Sequence, residues 1–212
     1  MRQVYLFFLL ATLYGANPES KLTPTEALNK LMAGNKRVIE ERMEHPNRFQ
    51  ESKMQNLLEK QEPFAVIVAC SDSRVSPEIL FDQGIGDLFV VRVAGNVVKE
   101  IELESIHYAV SQLKTPIILV MGHENCGAVN AVLHQMDQTI PEIAALIRPA
   151  IEASKNKKGD PLQNAVEANV ELVVEELKQK PFIKELVEKN QLLVKGSYYH
   201  LQDGSIRLLE TH

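Results

Sequence analysis

Both cysteines of the chain sit in short polar clusters, Cys70-Ser71-Asp72-Ser73-Arg74 and His123-Glu124-Asn125-Cys126. Two thiolates and one imidazole make a soft nitrogen/sulfur donor set suited to zinc, with the fourth position left for water. That is the ligand count of a catalytic site rather than of a closed structural one. Beside the first cysteine, Asp72 and Arg74 form a carboxylate–guanidinium pair able to orient a hydroxide on the metal. A disulfide is the competing reading, because two cysteines in an oxidising compartment often pair. A simple staple has no use for the His-x-x-Cys spacing or for Asp-x-Arg next to the other cysteine.

Each cluster follows a short apolar run. Phe64 to Ala69 and Ile117 to Met121 read as strands buried on both faces, the second stopping at Gly122. Leu88 to Val93 is another strand, ended by Gly95-Asn96. Between and after them come helical segments: a short one opened by Ser76-Pro77-Glu78, then Glu100 to Leu113, Ala128 to Met136 and Pro141 to Ser154. Asp160-Pro161 and Pro181 start two more. Strands alternating with helices predict an α/β domain with a mainly parallel central sheet flanked by helices. Leu192 to Tyr199 and Ile206 to Leu209, joined around Asp203-Gly204, predict a C-terminal hairpin or edge strand. Both clusters then fall at the C-terminal ends of strands, where open α/β sheets build their sites.

Ahead of this domain, Thr23-Pro24-Thr25-Glu26 is a helix start with a cap, a proline in the first turn and a capping-box glutamate. The helical arm it opens, about residues 23–40, covers the domain's own core or clasps a second subunit. Glu40 to Gln61 is polar, with a turn at His45-Pro46-Asn47 and a short helix after it. At the front, Met1-Arg2-Gln3 precedes an uncharged, mostly apolar run from Val4 to Leu13, with Gly15 and Ala16 following. Residues 1–16 therefore read as a secretory signal peptide, too short to span a bilayer, and predict an exported, periplasmic or secreted protein, with a cytoplasmic one as the alternative. Residues 17–212 then form a single catalytic domain.

With 45% hydrophobic and 24% charged residues, the 212-residue chain has the composition of an ordinary globular protein. A net charge of -5 and the lack of a basic, aromatic-studded stretch argue against nucleic acid as partner. The one lysine cluster, Lys155, Lys157 and Lys158 beside Gly159, reads as a solvated loop. No segment after the first is long and apolar enough to insert in a membrane.

Cys-Ser-Asp-Ser-Arg after an apolar strand, Val-Arg-Val-Ala-Gly-Asn at 91–96 and Gly-His-Glu-Asn-Cys-Gly at 122–127 together resemble the β-class carbonic anhydrases. The likeness is strong from Gln61 to Val129 and looser over Lys195 to Tyr199. It implies one zinc per subunit on Cys70, His123 and Cys126, whose hydroxide attacks carbon dioxide to give bicarbonate. It implies that Asp72 and Arg74 are the orienting dyad, with a closed state in which Asp72 itself binds the metal. Gln61 matches a glutamine that hydrogen-bonds the substrate oxygen, and Phe89 and Tyr108 match an apolar substrate pocket often built across a subunit interface. Gly127 lets a helix begin close to the metal, and the family assembles as homodimers or tetramers. A bicarbonate-regulated subgroup has tryptophan where this chain has Ile67, although Arg92 matches an arginine used there. The missing aromatic predicts no full regulatory pocket and an open site at neutral pH. The same scaffold also serves carbon disulfide or carbonyl sulfide hydrolysis, and a non-catalytic zinc-binding protein is the rival from another class. His45, His107, His134, His200 and His212 have no metal spacing, and any one of them could shuttle protons.

Overall fold

A computed structural model of the chain describes residues 22–45, 55 and 57–210. The expected signal segment, the turn after His45 with most of the short helix beyond it, and His212 lie outside the described residues. The arm helix α1 (Pro24–Ile39) starts with the expected capping box: Thr23 Oγ1 accepts from the Glu26 amide, and the Glu26 carboxylate accepts from Thr23. After it come β1 (Ala65–Ala69), α2 (Pro77–Leu80), β2 (Leu88–Arg92), a 3-10 turn at Ala94–Asn96 and α3 (Glu100–Ser111). The second half runs β3 (Ile117–His123), α4 (Gly127–Leu133), α5 (Pro141–Ser154), α6 (Pro161–Lys178), α7 (Pro181–Glu188), β4 (Leu193–Tyr199) and β5 (Ile206–Leu208).

The strands form one five-stranded sheet in the order β2-β1-β3-β4-β5. Pairings are parallel except for β4 with β5, which close the predicted antiparallel terminal hairpin. Every residue of β1 and β3 is buried, as their unbroken apolar runs require. Alternate side chains go to opposite faces. Val66, Val68, Ile118 and Val120 enter a core under α3 to α7, while Ala65, Ile67, Leu119 and Met121 enter a second core with Ala27 and Leu31 of α1. The arm thus covers its own domain.

β3 runs two residues further than its sequence suggests. Gly122, read as a stop, is inside the strand because α6 lies against it: a Cβ there would sit 2.7 Å from both Val166 Cγ1 and Val170 Cγ2. The glycine serves close packing, and it carries His123 onto the last position of the strand.

Candidate metal centre

β1, β2 and β3 are parallel neighbours, so their C-terminal ends lie along one edge of the sheet. Cys70 leaves β1 there, and Asp72 turns the chain by accepting the Arg74 backbone N–H at 2.9 Å. Arg92, the last residue of β2, donates to the Cys70 carbonyl at 3.0 Å and to the Asp72 carbonyl at 2.7 Å, fixing that loop from the side. The 3-10 turn that follows gives its Gly95 N–H to Cys70 Sγ at 3.2 Å. His123 ends β3, fully buried. Asn125 takes the left-handed conformation that asparagine tolerates (φ 53), and Cys126 then caps α4. Glu124 ties this loop to the chain after β4: its N–H donates to the Tyr199 carbonyl, and its carboxylate accepts from the Leu201 and Gln202 amides.

The donor atoms of Cys70, His123 and Cys126 all lie within 4.8 Å of one another. The sulfurs are free thiols 4.0 Å apart, not a bridge. Two sulfurs at about 2.3 Å from one tetrahedral ion stand about 3.8 Å apart, so the spacing fits a shared metal. His123 Nδ1 lies 2.9 Å from the Glu124 carbonyl, a contact that makes Nδ1 the protonated nitrogen. Nε2 is then the bare nitrogen, and it is buried with no hydrogen-bonding partner. A buried orphan acceptor facing two thiols is what a metal ligand looks like without its ion. Hydrogen bonding from Cys126, with the Gly95 amide adding to it, holds the Cys70 thiol far below its ordinary value against the effect of burial. Cys126 is pushed up, first by that shared hydrogen bond and then by burial and the charge of Cys70. A divalent cation held by the two sulfurs and Nε2 would take the place of the proton the pair shares.

Asp72 stands at the rim, its Oδ2 4.0 Å from His123 Nε2. Arg74 grips both carboxylate oxygens, Nε on Oδ1 at 2.9 Å and Nη2 on Oδ2 at 2.8 Å. The guanidinium therefore holds the Asp72 carboxyl well below the usual carboxylate range, outweighing burial.

Of the remaining expected residues, Gln61, Phe89 and Tyr108 do not gather here within one chain. Gln61 is exposed and precedes the N-terminal end of β1, with roughly 13 Å of strand between that end and the Cys70 end. Phe89 pairs with Val66, about 10 Å short of the level of Ala69, and its ring lies 6.4 Å from that of Tyr108, which is 48% exposed. Gly127 opens α4 beside Cys126, and nothing lies within 4 Å of where its Cβ would be. Among the spare histidines, His45 lies near the buried Asp82, 3.6 Å from Nδ1 to Oδ1. Arg37 already pairs with that carboxylate at 2.7 Å. Two contributors escaped the sequence reading: Arg92 as a clamp on the Cys70–Asp72 loop, and Asn169 of α6, which donates to the Gly95 carbonyl at 2.8 Å. Asn169 did leave a signal, a lone amide among Ala165, Val166, Val170 and Val173 on the apolar face of its helix.

A family profile described as carbonic anhydrase matches residues 65–206. A carbonic anhydrase of Mycolicibacterium smegmatis is 37% identical over 87% of this chain and 93% of its own length. The solved structure of a Coccomyxa β-carbonic anhydrase in complex with acetazolamide superposes with a TM-score of 0.67 at 30% identity, covering 75% of this chain and 78% of that one. A tetrameric β-carbonic anhydrase of Sordaria macrospora gives 0.65 at 25% identity over 87% and 94% of the two chains. With the profile spanning β1 to β5 and a relative matched along nearly its whole length, the chain belongs to the β-carbonic anhydrase family.

Proposed function

We propose that the chain catalyses the reversible hydration of carbon dioxide to bicarbonate and a proton, with one zinc ion per subunit on Cys70, His123 and Cys126. The observation that carries this reading is the convergence of three buried donors, with a carboxylate held by arginine at their rim. Zinc held there supplies the Lewis acidity that makes water a nucleophile near neutral pH. Asp72, kept ionised by Arg74, accepts the nucleophile's hydrogen, so that a lone pair faces the substrate carbon. Arg74 also reaches the Asn125 carbonyl at 3.3 Å, joining the dyad to the loop that carries Cys126. The open space at Gly127 leaves room beside the third ligand.

Gln61, Phe89 and Tyr108 complete the substrate pocket from a second copy. β2 is an edge strand, and a hollow of about 260 Å³ beside it is lined by Phe89, Val91, Val93 and the 77% exposed Ile101, together with the polar Arg92, Glu102 and Ser105. Pairing two copies along this edge covers that mixed surface and sets one copy's Gln61 and Phe89 against the other's cluster. The tetrameric Sordaria neighbour supports assembly of this kind. Residues 1–16 direct export, and the catalytic unit begins near Asn17; an N-terminus still at Met1 in the recovered protein would overturn this. Among the described residues no helix is long and apolar enough to cross a membrane.

Metal analysis joined to a hydration assay tests the main reading. Proton release on mixing with carbon dioxide should track bound zinc one-to-one, vanish on chelation and return on adding zinc. Release that ignores chelation would refute it.

A further inference from the structure

We propose that Asn169 is a positioning residue for the metal centre, acting through the Gly95 backbone to hold an N–H against the Cys70 sulfur. Asn169 is fully buried in α6, far from the cluster in sequence. Its Nδ2 donates to the Gly95 carbonyl at 2.8 Å, while its Oδ1 is buried with no partner. An unpaired buried amide oxygen is costly. An aliphatic side chain in its place would match its neighbours Ala165, Val166, Val170 and Val173 and escape that cost. The amide is therefore explained by the one bond it makes.

That bond matters because of what Gly95 does. Its φ of +73 and ψ of 15 are left-handed, and a Cβ would come 2.8 Å from Ile147 Cδ1. In this conformation its N–H reaches Cys70 Sγ at 3.2 Å. With the carbonyl of the same residue tied to α6, the turn cannot rotate its N–H off the sulfur. A hydrogen bond to a thiolate withdraws electron density from it, and outer contacts of this kind tune ligand basicity and metal affinity. Asn169 would thus set how much charge Cys70 passes to a bound ion.

The inference rests on the zinc reading and is separable from it. In wild-type protein loaded with cadmium-113, the Gly95 amide proton should show scalar coupling to the metal through the sulfur. In cobalt-loaded Asn169→Leu and Asn169→Ser, the thiolate-to-cobalt charge-transfer band should move to lower energy, and metal affinity should fall about tenfold. Val173→Ala, a buried change on the same helix, should loosen the fold and leave the band in place. Failure to bind either ion would defeat the metal reading and this one with it. Full loading without coupling, or folded Asn169 variants with the wild-type band, would overturn this inference alone.

Discussion

Cys70 is restrained from three directions: its carbonyl by Arg92, its sulfur by the Gly95 amide, and its loop by the Asp72–Arg74 pair. Removing Arg92 frees the Cys70 carbonyl and leaves the Asp72 carbonyl only its bond from the Val75 amide. Arg92→Ala should keep its metal but lose about tenfold to a hundredfold in turnover, as outer-contact losses do; an unchanged rate in the hydration assay would contradict the clamp. Arg74→Ala attacks the same dyad from its cation. It removes the pair of bonds that holds the Asp72 carboxylate turned, and should lower turnover on the order of a hundredfold with zinc retained. The meeting of Cys70, His123 and Cys126, and the pairing of Asp72 with Arg74, were legible because these residues fall in two short clusters. Arg92 and Asn169 were not, because each acts on backbone groups distant in sequence, and no local spacing encodes such a meeting.

Helices and strands were largely legible because their ends carry chemistry in the sequence: Thr23, Pro24 and Glu26 for α1, Asp160 and Pro161 for α6. The misplaced end of β3 shows what local rules miss, since Gly122 answers to Val166 and Val170 and not to its own neighbours. Gly122→Ala should cost about 1–3 kcal/mol by overpacking, read as a lower urea midpoint, and should disturb His123 beside it. The far end of α1 depends on Asp82, whose buried carboxylate accepts from Arg37 and from the Glu44 and His45 amides. Burial alone would raise its pKa, but those donors together hold it below the ordinary value. The folded state therefore binds this proton less tightly than the unfolded chain. Its stabilisation is full above the unfolded value of about 3.9 and is lost as pH falls through the folded one. Asp82→Asn should lower stability at pH 7 by about 3 kcal/mol, with a shallower acid-side decline in urea titrations from pH 5 downward.

At the scale of the molecule, the residues expected to line a substrate pocket stand apart from the cluster. Gln61 and Phe89 sit towards the far end of the strands from their own chain's cluster, and the proposed site takes them from a second copy. Ile101→Glu, a charge on the exposed flank of the β2 edge, should give monomers in sedimentation and a loss of hydration activity with zinc still bound; active monomers would contradict a shared site. The proposed chemistry turns on Asp72. Stopped-flow carbon dioxide hydration should be measured on wild type and Asp72→Asn at equal, full zinc occupancy. Rapid hydration near neutral pH is expected in the wild type, with a loss of a hundredfold or more in the variant. Zinc-loaded wild type that hydrates carbon dioxide no faster than buffer at any pH would refute zinc-dependent hydration at this site.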